Sequence, residues 1–322
     1  MKCKVFLDSS IMQKGLPSTA GSKMLENFVS PVDATVVERL AAAGAEIAGR
    51  VEMNEFGVSG VFNKEIPELT EAVSLIKNGK ADVILCNDYT GAISRTAAIH
   101  GLYYIHPTYG TVSRYGLIPA VTSMDQIGIL CGSSGVGFGV LRMIAGYDPR
   151  DGVMSENNPK FAAKQNESTQ KITVSEPVCK YNDIYSQIMQ ILCCAELGNN
   201  ISRYDGIKFG HRSKEYNGLR ELYTKSRTEA FGDDVKLAAV IGAMVLSQDN
   251  YTRYYDKAMR LRRMIKDSFD FVSYDVIKTC CPVLSRLCGL PSLTTPENVY
   301  IANTEREDIL EALIDDSGEI TI

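Results

Sequence analysis

The sequence predicts an α/β fold. Short apolar runs typical of strands alternate with segments that carry apolar residues at helical spacing, and this alternation is typical of α/β proteins. The composition agrees, since 45% of the residues are hydrophobic and 23% are charged, as in an ordinary soluble globular protein. A length of 322 residues allows one large domain or two of average size.

The first part of the chain alternates strands with helices. We predict a strand at 4–7, a helix at 33–43, a strand at 45–51, a helix at 68–78 and a strand at 83–86. The first helix opens with Asp33 as its N-cap and repeats apolar residues on one face, as an amphipathic helix does. Gly79 marks the end of the second helix.

The second part of the chain is predicted to be mainly helical. A polar stretch at 152–173 favours a loop or linker. The elements predicted beyond it are a helix at 184–197, a helical stretch at 233–267 that breaks near Ser247, a strand at 298–302 and a helix at 305–313.

The charge pattern predicts neither a nucleic-acid-binding protein nor a membrane protein. The formal net charge is -5, so the chain has no general attraction to phosphate backbones. The basic run at 260–266 carries apolar residues at helical spacing, and we interpret it as the solvated face of a helix. No apolar stretch approaches the length of about 18 residues that a membrane span requires. The apolar stretch at 1–8 is too short for a signal peptide.

No cofactor and no metal is predicted. The three histidines are scattered and the nine cysteines lack C-x-x-C spacing, so a zinc site is not expected. We interpret the cysteines as buried thiols of a reducing compartment, which favours the cytoplasm. The glycine-rich stretch at 131–139 lacks the Lys-Ser/Thr pair of a phosphate loop and the G-x-G-x-x-G spacing. We therefore predict a loop that runs into a helix.

Several stretches resemble the amidase-signature enzymes, and in particular the branch formed by the A subunits of the aminoacyl-tRNA amidotransferases. They follow the family's order along the chain: Thr19-Ala-Gly-Ser-Lys-Met-Leu25, Pro107-Thr-Tyr-Gly110, Val112-Ser-Arg-Tyr-Gly-Leu117, Met124-Asp-Gln-Ile-Gly128, Ile144-Ala-Gly-Tyr-Asp-Pro-Arg-Asp151, Ser202-Arg-Tyr-Asp-Gly206 and Tyr251-Thr-Arg-Tyr-Tyr255. The resemblance implies one domain over 1–322, with a mixed β-sheet covered by helices and several family segments deleted.

The resemblance also implies which residues occupy the catalytic positions. The family uses a serine nucleophile, a second serine that bridges to it, and a neutral lysine that takes the proton, because a hydroxyl is a weak nucleophile until a base activates it. The family's D-T-G-G-S motif appears here as Asp88-Tyr-Thr-Gly-Ala92, so Ala92 stands at the nucleophile position. Asp8 stands at the lysine position, and Glu68 at that of the bridging serine. All three catalytic residues are replaced.

One ligand-binding residue of the family is retained. Arg203 matches the arginine that binds the glutamine carboxylate in the family. We expect the old pocket to be partly filled or opened to water, with Arg203 neutralised by an internal carboxylate such as Asp205. The motifs around Tyr109, Arg114 and Asp125 could persist as turn and core residues alone.

Three hypotheses follow for the function. The first is a catalytically inactive amidase-like protein that binds a protein partner in a scaffolding or regulatory role. The second is an amide hydrolase with relocated chemistry at Cys86, at Ser94 or at the carboxylates of Asp8 and Glu68; neither His100 nor His106 falls where the family has a base. The third is a decaying gene product without a selected role.

Overall fold

An eight-stranded mixed β-sheet forms the centre of the computed structural model, which describes residues 3–64, 66–67, 69–156, 172–176 and 182–314. The strands are β1 (Lys4–Asp8), β2 (Glu46–Val51), β3 (Val83–Asn87), β4 (Tyr103–His106), β5 (Ile127–Cys131), β6 (Val276–Thr279), β7 (Ser292–Thr294) and β8 (Val299–Ala302). Their order across the sheet is β2-β1-β3-β5-β4-β7-β8-β6. Strand β1 runs parallel to β2 and β3, and the remaining pairs are antiparallel.

Helices cover both faces of this sheet. They are α1 (Thr35–Ala42), α2 (Leu69–Lys77), α3 (Ala92–Ile99), α4 (Ser134–Ile144), α5 (Asn182–Asn200), α6 (Gly218–Ala230), α7 (Asp233–Leu246), α8 (Lys257–Asp267), α9 (Val283–Cys288) and α10 (Glu307–Ala312). Short 3-10 segments occur at Lys23–Leu25, Glu55–Phe62 and Ile201–Arg203, and a π-helical turn at Thr252–Asp256.

The central strands are buried on both faces, and their side chains alternate between two cores. In β3, Val83 and Leu85 pack into a cluster with α1, α4 and α10, whereas Ile84 and Cys86 pack into a second cluster with α2 and α3. This follows from the period-2 geometry of a strand. A third and larger cluster joins α5, α7 and α9 to the segment Glu55–Phe62. Two of the catalytic positions implied by the resemblance, Asp8 and Ala92, lie at the carboxyl end of β1 and just beyond that of β3.

Most predicted elements of the first half are confirmed, with small shifts at the ends. The predicted strand at 4–7 is β1, and the helix predicted at 33–43 begins at Thr35 with Ala34 as its N-cap. The expectation that Asp33 caps this helix is wrong, because its carboxylate accepts a 2.7 Å hydrogen bond from the backbone N–H of Lys14. The glycine-rich stretch leads from β5 into α4 as predicted.

The C-terminal elements are also confirmed where the structure describes them. The helical stretch from Asp233 to Asp267 breaks at Ser247 into α7 and α8, as predicted. Sequence reasoning missed β4, β5, β6, β7, α3, α6 and α9. Of the predicted loop at 152–173, residues 157–171 lie outside the described residues. The organisation as a single domain stays a prediction.

In the part of the chain that the structure describes, seven cysteines are free thiols, and all of these but Cys3 are buried. Cys280 differs, since it is disulfide-bonded, and the expectation of thiols throughout is wrong at this position.

Across the described ranges, no helix has the length and apolar character needed to span a bilayer.

Candidate functional site

Asp8 ends β1 and lies almost entirely out of contact with solvent, with 2% of its surface exposed. One carboxylate oxygen accepts hydrogen bonds from the backbone N–H and the hydroxyl of Ser10, and the other accepts from the backbone N–H of Asn87 at 2.9 Å. Burial raises the pKa of the Asp8 carboxyl above its ordinary value, although these hydrogen bonds oppose the shift. Asp8, which the resemblance puts at the lysine position, thus ties β1 to β3 as a hydrogen-bond acceptor.

Asp88 begins the turn that leads from β3 to Ala92. Its carboxylate accepts hydrogen bonds from the backbone N–H groups of Ile93 (3.1 Å) and Ser94 (2.9 Å), so it caps the first turn of α3. Gly91 has a φ of 75°, in the left-handed region that favours glycine. Ala92 is therefore the first residue of α3, at a sharp strand-to-helix turn.

The segment Glu55–Phe62 closes over this turn. A Cβ added to Gly60 would lie 2.9 Å from the Cβ of Ala92 and 2.2 Å from Oγ1 of Thr90. The hydroxyl of Tyr89 donates a 2.7 Å hydrogen bond to the backbone carbonyl of Phe56. Ala92 has only 4% of its surface exposed as a result. The expectation of a partly filled pocket agrees with this packing.

A fully buried arginine lies behind the turn, and sequence reasoning missed it. Arg286 of α9 donates from Nη2 to the Asp88 carboxylate at 3.0 Å and to the Ser94 hydroxyl, and from Nε to the Asp88 carbonyl oxygen at 3.1 Å. The Asp88 and Arg286 side chains are 1% and 0% exposed. A buried cation is costly unless it is paired, so Arg286 and Asp88 depend on each other.

A small cavity remains beside Asp8. Its volume is about 30 Å³, which suffices for a few water molecules, whereas small-molecule sites usually occupy roughly 300–1,000 Å³. Among the described residues, its polar lining includes Asp8, Asn87 and Asp88, and its apolar lining includes Ile84 and Leu69. Glu68, at the position of the bridging serine, lies outside the described residues.

Arg203 does not line this cavity. It is exposed at the end of α5, where Nε donates to the backbone carbonyl of Asn200 and Nη2 to its side-chain oxygen, both at 2.9 Å. The expectation of Asp205 as its partner is wrong. The Asp205 carboxylate instead accepts from the backbone N–H of Ile207 and from the hydroxyl of Tyr223.

The two candidate nucleophiles for relocated chemistry are both buried and engaged. Burial, followed by the neighbouring carboxylates of Asp8 and Asp88, raises the pKa of the Cys86 thiol well above its ordinary value. A reactive cysteine needs the opposite shift. Ser94 is 0% exposed and donates to Asp88 at 2.7 Å. Neither side chain is open to a substrate, and the Asp88 carboxylate that Ser94 contacts is paired with Arg286, which weakens it as a base.

The two histidines near the site differ in burial. His100 is exposed at the end of α3. His106 is buried at the end of β4, its Nδ1 has no hydrogen-bond partner in the part of the chain that the structure describes, and burial lowers its pKa well below the ordinary value.

Other retained motifs hold the backbone around the site. The Asp125 carboxylate accepts from the Asn87 side chain at 2.8 Å and from the backbone N–H of Ala120 at 2.9 Å. Arg114 pairs with Asp151 at 3.0 Å, with both side chains largely buried. Structural roles account for these motif residues.

The architecture is that of an amidase-type protein, with a mixed sheet and a turn into α3 beside the carboxyl ends of β1 and β3. Comparison with known proteins agrees. The chain belongs to the Amidase family, whose model matches residues 5–70, 74–180 and 170–304. Among the described residues, no cluster of three histidine, cysteine or acidic side chains is placed to hold a metal ion.

Within that family, curated relatives include A subunits of glutamyl-tRNA(Gln) amidotransferases. The protein of Lachnoclostridium phytofermentans is 31% identical, over 93% of this chain and 71% of the relative. That of Wolinella succinogenes is also 31% identical, over 93% of this chain and 77% of the relative. The resemblance in the motifs is thus confirmed along most of the chain.

Solved structures confirm the fold. The A subunit of the Thermotoga maritima glutamyl-tRNA(Gln) amidotransferase superimposes with a TM-score of 0.62 at 20% identity, covering 99% of this chain and 86% of that chain. The peptide amidase of Stenotrophomonas maltophilia superimposes with a TM-score of 0.70 at 19% identity, covering 96% of this chain and 80% of that chain.

Proposed function

We propose that this chain is a catalytically inactive member of the amidase family that acts by binding a protein partner in the cytoplasm. The observation that carries the proposal is Ala92, which has no heteroatom and stands at the start of α3, where the resemblance puts the nucleophile. Asp8, at the lysine position, accepts three hydrogen bonds and is held against β3. A carboxylate so engaged is a poor base for a distant hydroxyl.

The packing over Ala92 supports the same proposal. Gly60 lies against Ala92 and Thr90, so little space remains beside the implied nucleophile position. Cys86 and Ser94 are both buried and hydrogen-bonded, and the carboxylate beside Ser94, that of Asp88, is already paired with Arg286. Relocated amide hydrolysis is the weaker alternative for this reason.

A binding role requires a single well-defined structure, and the buried polar network of this chain specifies one. The network around Arg286 also includes the hydroxyls of Ser285 (2.8 Å) and Ser292 (3.2 Å), and satisfied networks of this kind specify one structure. The curated relatives are named as subunits, which favours a protein partner for this chain too. The free thiols support a reducing compartment, whereas the disulfide at Cys280 counts against it.

A fluorophosphonate probe tests the loss of catalysis, because it forms a covalent bond with an activated serine. We expect no labelling of the full chain. Labelling that disappears in Ser94→Ala would support relocated chemistry. Alkylation of Cys86 by iodoacetamide in the folded protein at neutral pH would support it for the thiol.

An affinity pull-down of the native protein from its own cell extract then identifies the partner.

A further inference from the structure

A short segment of this acidic chain carries a local excess of positive charge. Residues 208–220 contain four cations, Lys208, Arg212, Lys214 and Arg220, and one anion, Glu215. With histidine neutral, the formal charge of the segment is therefore +3, whereas that of the whole chain is -5. All four cations are exposed. We call these four residues the basic surface.

The charges of the basic surface are uncompensated. None of its four cations forms an ion pair within the part of the chain that the structure describes. The guanidinium of Arg212 instead lies over the ring of Tyr216, 5.3 Å from the ring centre. The neighbouring carboxylate of Glu221 in α6 is already paired with Lys225 at 2.9 Å. The basic surface therefore presents its charge to solvent.

The backbone that presents the basic surface is anchored to the rest of the protein. The N–H of His211 donates to the carbonyl of Met24 at 2.8 Å. Ser213 is buried, and its N–H donates to Oγ of Ser226 at 3.0 Å. Since side chains alternate along an extended backbone, the two residues beside Ser213 point towards solvent. A partner that binds here does not have to order the segment first, which favours affinity.

Apolar side chains lie exposed among the cations. Phe209, Tyr216 and Leu219 are 45%, 39% and 63% exposed. Protein interfaces are enriched in aromatic side chains and in arginine relative to the rest of the surface. The basic surface and these side chains together offer a partner both charge attraction and apolar contact.

The charges around the basic surface select an acidic protein segment over a nucleic acid. Carboxylates of a short segment meet cations only, and such complementary charges favour association. A nucleic-acid strand is charged at every nucleotide and extends past the basic surface. It would meet the carboxylates of Glu26 and Glu229, which lie 3.4 and 3.0 Å from the His211 ring, and that of Glu215. Like charges in contact are unfavourable.

We propose that the basic surface docks an extended protein segment that is rich in aspartate or glutamate and carries an aromatic or aliphatic side chain. The carboxylates pair with Lys214 and Arg220, and the apolar side chain packs on Tyr216 and Leu219. The inference rests on the proposed binding role, for which it names a class of partner, and it does not depend on the loss of catalysis.

Fluorescence anisotropy of a fluorescein-labelled random copolymer of glutamate and tyrosine, titrated with the full chain, tests the proposal. We expect saturable binding that weakens by about tenfold or more when the salt concentration rises from about 0.05 to about 0.5 M, because salt screens contacts between exposed charges. A single-stranded oligonucleotide of equal charge is expected to bind more weakly than the copolymer.

Charge reversal locates the contact. Lys214→Glu combined with Arg220→Glu is expected to weaken copolymer binding by about tenfold or more, because it brings like charges together. Lys77→Glu combined with Lys80→Glu is the matched control, since both lysines are exposed at and just beyond the end of α2 and the net charge changes by the same amount. The control is expected to bind as the wild type does, and both double variants to melt close to the wild-type temperature.

Three results would overturn the inference. The first is a wild-type chain that does not bind the copolymer, which leaves the proposed binding role to be tested by the pull-down from cell extract. The second is an equal loss of binding in the control, because only the net charge would then matter. The third is an oligonucleotide that binds as tightly as the copolymer, because the basic surface would then be a nucleic-acid site.

Discussion

The backbone of Gly60 lies against the side chain of Ala92, so that a methyl group on Gly60 would stand 2.9 Å from the Ala92 Cβ. The same methyl group would stand 2.2 Å from Oγ1 of Thr90. The segment Glu55–Phe62 and the turn into α3 therefore close on each other without a gap. This contact leaves little space over Ala92, the position that the resemblance implies for the nucleophile.

Gly60→Ala is expected to lower the free energy of unfolding by about 1–3 kcal/mol, because overpacking a closed core forces neighbouring groups apart. Gly139→Ala is the control: it also lies in a helical segment, but a Cβ there meets nothing within 4 Å. The control is expected to gain up to about 1 kcal/mol from helix propensity. Urea denaturation measures both. Equal stabilities for the two variants would show that Gly60 has more room than the contact indicates.

The ion pair between Arg286 and Asp88 should be essential for folding stability. Arg286→Met is expected to cost about 3–5 kcal/mol, because it leaves the Asp88 carboxylate buried without its cation. Arg263→Met is the control, since Arg263 is 76% exposed in its pair with Asp267, and such a pair contributes about 0–1 kcal/mol. Adding Asp88→Asn to Arg286→Met should recover part of the loss in thermal unfolding. No recovery would indicate that the pair is not coupled.

The fold was predictable from sequence where periodicity is strong. Strands β1 and β3 and helix α7 followed from apolar runs and helical spacing, because burial selects those patterns directly. Strand β7 has three residues and α9 has six, and elements this short carry too few residues to show a period. Tertiary contacts, rather than local preference, hold them in place.

The candidate site was predictable only through the resemblance. The motif from Asp88 to Ala92 identified the turn, and the structure places it beside Asp8 as that interpretation requires. Arg286 gave no signal, because a lone arginine after Cys281-Pro282 in sequence usually lies at the surface. Its partner is 198 residues away, and no local pattern encodes such a pairing.

His106 should make stability depend on pH. Its pKa in the folded chain lies well below the ordinary value of 6.5, so the unfolded chain binds the proton first as pH falls. The stability contributed by the neutral ring is complete above pH 6.5 and is lost below it, by up to about 1.4 kcal/mol per pH unit. His106→Gln is expected to reduce the change in unfolding free energy between pH 7 and pH 5, as measured by urea denaturation. His100→Gln, at an exposed position, should leave the slope unchanged, and a slope equal to wild type in both variants would refute the assignment.

Free glutamine and asparagine are expected not to bind at millimolar concentration. The described cavity beside Asp8 holds about 30 Å³, and Arg203 is engaged with Asn200 outside it. Thermal-shift titration with each amino acid measures this directly. A clear stabilisation by glutamine that disappears in Arg203→Ala would contradict the filled pocket and would make the chain a glutamine sensor.

Release of ammonia from glutamine, asparagine and simple amides tests the loss of catalysis most directly. We predict a rate equal to the buffer blank for the wild-type chain. An enzyme that has lost its catalytic triad keeps a rate enhancement of at most about 10³–10⁴-fold over the uncatalysed reaction in water. The variant with Asp8→Lys, Glu68→Ser and Ala92→Ser is also expected to stay inactive. Lysine cannot accept the hydrogen bonds that Asp8 receives from Ser10 and Asn87, and Gly60 still closes over position 92. Turnover at an ordinary enzymatic rate by the wild-type chain, abolished by Cys86→Ala or Ser94→Ala, would contradict the account.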